Sequence, residues 1–459
     1  MLPVHNPATG QLITTLPADD DASVAGKAAA ARAAQPAWAA LPMADRLACI
    51  QRFRAGLVAE LDTLAATLTR EMGKPISQAK NEINGLLGRI DFFLEQAEKA
   101  TADEHVFDGG GMHEQIGHIP LGVVANISAW NYPYFVGCNV IVPALLTGNA
   151  VLYKPSELTP LTGLNLTRLL HAAGVPKDVM QCLVGGPEVG AALLAQKIDG
   201  LFFTGSHATG QRLAVALAPR LVKLQLELGG KDPSYVRADM ASPADVKAAA
   251  ESLADGALYN TGQSCCSVER IYVHESLHDA FVQHFLATVA SFKMGDPLAA
   301  DTTIGAIARA PQLAVLQAQV ADAVAKGATL HTGGKRQPGP GQWFEPTVLT
   351  NVNHTMELMR EESFGPVIGI QKVSSDDEAV ALMNDTRYGL TAGVYTRDEA
   401  AARAILSRVN AGSVYWNCCD RVSPRLPWSG HGDSGLGLTL STHGIQTFTR
   451  PKAWHLRQV

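Results

Sequence analysis

Gly200-Leu-Phe-Phe-Thr-Gly205-Ser-His-Ala-Thr-Gly210 is the stretch that decides the fold. A short unbroken apolar run, Gly200 to Phe203, passes through Thr204 and a glycine into a segment with helical spacing, Thr209 to Ala218. Apolar on successive residues rather than alternate ones, such a strand is buried on both faces, as in a parallel sheet covered by helices. The same unit recurs upstream. Strands are expected at Val123 to Ile127, Ala150 to Tyr153 and Val179 to Val184. Helices are expected from about Val136, at Leu161 to Ala173 and at Glu188 to Gln196, and downstream Leu221 to Leu226 completes the set. This alternation predicts an α/β fold. Ligands of such sheets bind beyond the carboxyl ends of the strands.

A second alternation begins after Gly229, with strands at Arg270 to Val273 and Val367 to Gln371 and helices at Leu277 to Phe292 and Pro311 to Lys326. Before the first sheet the chain reads as alanine-rich helices, Asp45 to Arg70 and Ile76 to Ala97, and Gly333 to Trp343 reads as a surface loop. His113 to Ile119 and Thr447 to Trp454 belong to neither half. Alone they would be exposed edge strands, an aggregation hazard unless paired. At 459 residues the chain exceeds one ordinary core, so two or three domains are expected.

Composition is 47% hydrophobic and 17% charged, that of a globular protein. A net charge of -6 offers no basic face for nucleic acid. The most apolar stretch, Phe135 to Tyr153, carries Asn139, Pro143 and Asn149 and reads as a buried helix leading into a buried strand, not a membrane span. Seven cysteines, in neither a disulfide framework nor a zinc-type spacing, fit a reducing compartment, and no metal is expected. The opening Met1-Leu-Pro-Val-His-Asn-Pro7 lacks secretory features, so a cytoplasmic protein is expected.

Two glycine-rich segments compete for a dinucleotide. Gly430-His-Gly-Asp-Ser-Gly435 has the G-x-G-x-x-G spacing, but no apolar strand precedes it and too little chain follows for a βαβ unit. Gly205 to Gly210 has a less standard spacing but lies between a strand and a helix, whose free amino-terminal N–H groups suit a phosphate.

Downstream, Asn260-Thr-Gly-Gln-Ser-Cys265-Cys266-Ser-Val-Glu-Arg270 holds a thiol in a Gly-Gln turn, following the acidic segment Leu226-Glu227-Leu228-Gly229-Gly230-Lys231. A thiol with a carboxylate elsewhere in the fold suits nucleophile-and-base chemistry. The plainer readings are a buried structural Cys265, a Glu227 paired with a lysine such as Lys231, and an Asn131 that caps a helix.

These blocks, with Ala129-Trp-Asn131-Tyr-Pro133, Tyr153-Lys-Pro-Ser-Glu157 and Glu362-Ser-Phe-Gly-Pro366, resemble the aldehyde dehydrogenase superfamily over nearly the whole chain. The resemblance implies a Rossmann-like NAD-binding domain from 1–101 and 121–229, an α/β catalytic domain at 230–437, and oligomerisation segments at 102–120 and 438–459 that form a small projecting sheet in a homodimer or homotetramer. It implies oxidation of a small-molecule aldehyde, with Cys265 as nucleophile, Asn131 as oxyanion donor and Glu227 as general base on water. Relatives that pass the acyl group to coenzyme A lack this carboxylate. Cofactor contacts are implied for Ile127, Trp130, Lys154, Ser156, Glu157, Gly205, Ser206, Leu228, Glu362 and Phe364. The carboxylate of Glu157 accepts from a ribose 2′-OH and repels a 2′-phosphate, so NAD is preferred over NADP.

A substrate pocket is implied from Tyr132, Asn139, Tyr259, Cys266, Val422 and Trp428. Succinic semialdehyde dehydrogenases typically have arginines at the positions matching Asn139 and Tyr259, so a neutral aldehyde, aromatic or medium-length, is expected, or a cationic one held by cation–π contact. The alternatives are an anionic semialdehyde held by Arg421 or Arg425, and a non-catalytic protein on the same scaffold. The closing Pro427-Trp-Ser-Gly-His-Gly-Asp-Ser-Gly-Leu-Gly437 departs from the family's usual motif, lacking its lysine and Arg-Glu pair.

Overall fold

Behind an amino-terminal hairpin, Leu2–His5 with Leu12–Leu16, four helices precede the first sheet: Asp21–Ala39, Met43–Ala59, Leu61–Met72 and Ile76–Ala100. The computed structural model describes residues 1–458. Asp20 caps the first helix by accepting from the backbone N–H of Ser23, and Gly73, in the left-handed region, ends the third. The span expected as one helix from Asp45 to Arg70 is two, broken at Glu60. No glycine or proline marks that break.

The first sheet has six strands in the order Gly435–Leu436, Lys223–Glu227, Gly200–Thr204, Val123–Ile127, Ala150–Lys154, Met180–Cys182. All neighbours are parallel except the short Gly435–Leu436, which runs antiparallel against Glu227 and Leu226. The chain builds outward from Val123–Ile127 on one side and then returns to its other side with Gly200–Thr204, which makes a switch point at the carboxyl ends of these two strands. The four helices share one continuous core with this sheet and its own helices, in which Trp38, Phe53, Ile83 and Phe93 are buried together with Val124, Ile141 and Leu152.

The second sheet has seven strands, ordered Thr329–Thr332, Thr347–Thr350, Val367–Val373, Val268–His274, Asp232–Val236, Thr391–Tyr395, Ser413–Trp416, with only the first antiparallel. Separate cores cover its two faces, one around Tyr235 and Tyr272, the other around Ile271 and Phe281. Thr449–Arg457, Met112–Pro120 and Glu104–Gly109 form a third, antiparallel sheet.

Two implied boundaries shift. The projecting carboxyl-terminal strand begins at Thr449, not residue 438, because Leu440, Ile445 and Phe448 are buried in the first core and the Phe448 ring stacks on Phe202 at 4.3 Å. Gly435 and Leu436 likewise join the first sheet instead of the second. Val459 lies outside the described residues. Among those residues no helix is long and apolar enough to cross a membrane.

Candidate active site

Cys265 sits in the turn between the helix Pro243–Leu258 and the strand Val268–His274, half-buried. The turn is fixed from several directions. Gln263 donates to the carbonyls of Asn260 and Ala306 and accepts from the backbone N–H of Ala308, while the backbone N–H of Asn260 donates to Gln78 Oε1. Asn260 and Thr261 adopt positive φ, and Gly262 lies so near Gly365 that an added Cβ would stand 2.2 Å from its carbonyl oxygen. Strained backbone held by many bonds is what a positioned reactive group needs.

Asn131 is buried beneath this turn and does not cap a helix; Tyr132 occupies the cap position and Pro133 begins the helix Pro133–Leu146. Its side-chain amide donates to the carbonyl of Gln263 at 3.2 Å, two residues before the thiol. Its own carbonyl accepts from Lys74 Nζ at 2.7 Å, and Lys74 is in turn ion-paired with Glu82, both fully buried.

Glu227 ends the strand Lys223–Glu227, buried. Gln225 Nε2 donates to its Oε1 at 3.2 Å, and the Thr439 hydroxyl donates to the same oxygen. Lys231 pairs with Glu269 instead, so Glu227 has no ion-pair partner within reach among the described residues. Burial pushes the Glu227 carboxyl up to about 7, against the lowering influence of Thr439, Arg89 and Gln225. The Cys266 thiol donates to Asp420 Oδ1 at 3.0 Å, and its neighbour Cys265, burial and the Asp420 charge push it well up. Cys266 is thus held as a thiol.

A cavity of about 410 Å³ joins these groups. It is lined by Cys265 and Glu227 and by all six implied pocket residues, Tyr132, Asn139, Tyr259, Cys266, Val422 and Trp428; Asn131 is not part of its lining. Arg421 lies on its exposed rim, whereas Arg425 does not reach it. The sequence reading missed Arg89, Glu82 and Asp420, which also line the cavity. A signal for two of them exists: Glu82 and Arg89 fall seven apart within the buried stripe of Ile76–Ala100, beside Ile83, Leu86 and Ile90. Charged residues in an apolar stripe face a partner or a ligand.

The implied cofactor residues gather at the carboxyl ends of the first sheet's strands: Ile127 ends one, Lys154 ends the next with Ser156 and Glu157 just beyond it, Gly205 and Ser206 follow a third, and Leu228 follows a fourth. Glu362 and Phe364 come from the other sheet's side of the crevice. Glu362 accepts from the backbone N–H of Gly230 at 3.0 Å, and its carboxylate crowds Gly229, where an added Cβ would stand 2.4 Å from it. Desolvation, with the charge of Glu269 alongside, raises the Glu362 carboxyl to about 8. The ring of Phe364, a positive-φ residue, meets Trp130 edge to face at 5.5 Å. Glu269, another residue missed from sequence, shapes this loop by accepting from the backbone N–H groups of Ser363 and Phe364. Gly210 faces inward and lets the helix His207–Leu217 pack on Leu228, so its smallness serves packing and not a phosphate.

The Lys154 ammonium tests whether a dinucleotide fits. It is 4% exposed, yet its contacts are only a 3.4 Å bond to its neighbour's carbonyl and a 3.9 Å approach to Glu157. A buried cation so poorly satisfied at the mouth of the switch-point crevice calls for oxygen acceptors, and ribose hydroxyls are such acceptors. The Gly430–Gly435 segment forms the two-residue strands His431–Gly432 and Gly435–Leu436, and the next helix is the six-residue Ser441–Gln446, so it builds no strand–loop–helix unit of the dinucleotide-binding kind.

A thiol turn and a buried carboxylate on one cavity, next to a nucleotide crevice, define the class as a two-sheet α/β oxidoreductase. The aldehyde dehydrogenase family profile matches residues 1–454, and the chain belongs to that family, whose members use NAD or NADP. It is 38% identical to a 3,6-anhydro-alpha-L-galactose dehydrogenase of Streptomyces coelicolor, over 99% of this chain and 93% of that one. It is 36% identical to a putative NADP(+) succinate-semialdehyde dehydrogenase of Mycolicibacterium smegmatis, covering 97% of this chain and 87% of that one. The structure of an NAD-dependent aldehyde dehydrogenase from Sinorhizobium meliloti superposes with a TM-score of 0.95 at 32% identity, covering 100% of this chain and 91% of that one.

Proposed function

We propose that this protein oxidises an aldehyde to its carboxylic acid through a covalent bond to Cys265. The observation that carries the reading is the single cavity onto which Cys265 and Glu227 both open, with the Asn131 amide bonded two residues from the thiol. The Cys265 thiolate adds to the carbonyl carbon, and the Asn131 amide with the Cys265 backbone N–H takes up the charge on oxygen. When bound, the nicotinamide supplies the acceptor for the aldehyde hydrogen. Glu227 then removes a proton from water, which attacks the thioester carbon, and the C–S bond breaks to release acid and thiol. Cys266, held as a thiol by Asp420, does not compete as nucleophile.

Lys154, Glu157 and Glu362 would hold the ribose hydroxyls, and the Glu157 charge favours NAD over NADP. The unpaired edges of the Thr449–Arg457 sheet support association into a homodimer or homotetramer. The substrate is a neutral aldehyde. Arg421 is on the rim and Arg425 outside the cavity, which weakens the anionic alternative. A purely aromatic or aliphatic substrate fits less well than expected, because it would bury Arg89 with only Asn139 and Phe135 as partners and no counter-charge.

Following NADH absorbance with NAD and a panel of aldehydes tests the reading, with the product analysed in the presence and absence of coenzyme A. Acid is expected in both; acyl-CoA as main product, or no NADH from any aldehyde, would overturn it. The second outcome would favour a non-catalytic role.

A further inference from the structure

Arg89 is the least explained charge in the protein. Its side chain is buried in the cavity wall, its guanidinium stacked 3.8 Å over the Phe135 ring. Nη1 donates to Asn139 Oδ1 at 3.0 Å, and among the described residues no carboxylate lies within 4.0 Å of it. Phe135 fixes the plane and Asn139 one corner of the fork. The remaining N–H groups are left for whatever fills the cavity, because an arginine carries five donors and no acceptor.

Another wall has the opposite character. Asp420 lines the cavity from a positive-φ position, one that aspartate tolerates better than most non-glycine residues. One of its oxygens accepts from Cys266, and no other protein group among those described hydrogen-bonds to the second. Tyr259, lining the rim, accepts from Asn81 at 3.2 Å and keeps its own hydrogen to donate.

Resting on the aldehyde-oxidation reading, we infer that the substrate is a small polyhydroxylated aldehyde, an aldose or a close derivative, whose hydroxyls bridge Arg89 and Asp420. A hydroxyl both donates and accepts, so neighbouring hydroxyls satisfy an arginine and a carboxylate together. A substrate carboxylate would pair with Arg89 but stand near Asp420 and Glu227. A substrate cation would meet Asp420 but oppose Arg89. A hydrocarbon chain would leave the buried Arg89 and the half-buried Asp420 both without a charged partner, the costliest arrangement of the four. The cavity volume of about 410 Å³ suits a molecule of a few carbons to a single sugar ring.

The test compares kcat/KM, with NAD and corrected for the fraction of free carbonyl, for glyceraldehyde, propanal and succinic semialdehyde. Wild type should favour glyceraldehyde over its deoxy counterpart propanal by roughly ten- to a hundredfold, the range expected for a hydrogen bond to a charged group. In Arg89→Met that ratio should fall about tenfold or more, and Arg89→Lys should recover only part of it because the planar fork is lost. The wild-type ratio decides even if the methionine variant does not fold. Propanal used as well as or better than glyceraldehyde overturns the inference while leaving aldehyde oxidation intact. So does a preference for succinic semialdehyde that Arg89→Met abolishes. Failure of all three aldehydes to yield NADH overturns the inference, and aldehyde oxidation falls with it only if the wider panel also yields no NADH.

Discussion

The Thr439 hydroxyl donates to Oε1 of Glu227, bridging 212 residues of chain and joining the segment after the closing glycine motif to the end of a first-sheet strand. The bond is to the charged form, so it opposes the burial that raises this carboxyl to about 7. In the proposed role of general base, Glu227 would work only when ionised. Turnover limited by hydrolysis should therefore climb with pH through about 7 and level off above it. Thr439→Val removes a donor to the carboxylate, which raises its pKa. The rising limb should move to higher pH by roughly one unit, the equivalent of a hydrogen bond to a charged group. A pH profile of kcat identical to wild type would show that Thr439 does not tune the base.

Covalent and hydrolytic steps separate in the variants. Glu227→Gln should still produce a burst of NADH, because thiol addition does not need the base, but steady-state turnover should drop by about 10²–10⁴. Acyl-enzyme should accumulate on Cys265 and be visible by intact-protein mass spectrometry. Asn131→Ala should instead lower the burst rate itself, by about 10²–10³, since the oxyanion forms before the acyl-enzyme. A normal burst in Asn131→Ala would remove it from the oxyanion site.

Lys74 places Asn131 by bonding its carbonyl, and the Lys74–Glu82 pair is fully buried. Lys74→Met leaves a buried carboxylate without its partner, and about 3–5 kcal/mol of stability should be lost. Replacing both, Lys74→Met with Glu82→Leu, should restore much of it while Asn131 stays loosened and activity stays low. Denaturant midpoints and kcat measured on the same samples decide. A single variant as stable as wild type would mean that Glu82 finds another partner or takes up a proton.

The first sheet was legible because its strands are buried on both faces, and Val123–Ile127 and Gly200–Thr204 show that as unbroken apolar runs. Asp232–Val236 was not, since it opens with Asp-Pro. Asp232 is buried only because it accepts from the backbone N–H and hydroxyl of Thr391 on a strand far along the chain. A polar residue satisfied by a distant strand looks like a loop residue when read locally. The site divides the same way. Glu227 and Cys265 stand in motifs, whereas Arg89 reaches the cavity, and Thr439 reaches Glu227 behind it, only through tertiary packing of a helix and a carboxyl-terminal segment.

Cofactor choice should turn on Glu157, 45% exposed at the crevice and 3.9 Å from the Lys154 ammonium. A 2′-phosphate brought beside this carboxylate meets like charge, which costs several kcal/mol when water is excluded. Glu157→Ser removes that repulsion and leaves Lys154 free to pair with the phosphate. The NAD/NADP ratio of kcat/KM should fall by at least about tenfold, mostly through KM for NADP. An unchanged ratio would mean that selectivity lies elsewhere in the crevice.

The Thr449–Arg457 strand pairs along its whole length with Met112–Pro120, but its other edge has no neighbour among the described residues, and Leu456 is 47% exposed on it. A nine-residue edge strand with exposed Trp454 and Leu456 would invite uncontrolled pairing in a monomer, and in the proposed closed assembly a partner subunit would cover it. Leu456→Asp places a charge in that contact. Sedimentation velocity should show wild type as a dimer or tetramer and the variant shifted towards smaller species. Because the crevice and cavity are built from the other two sheets, the dissociated variant should still bind NAD. Wild type sedimenting as a monomer at micromolar concentration would sink the assembly reading and leave the catalytic one untouched.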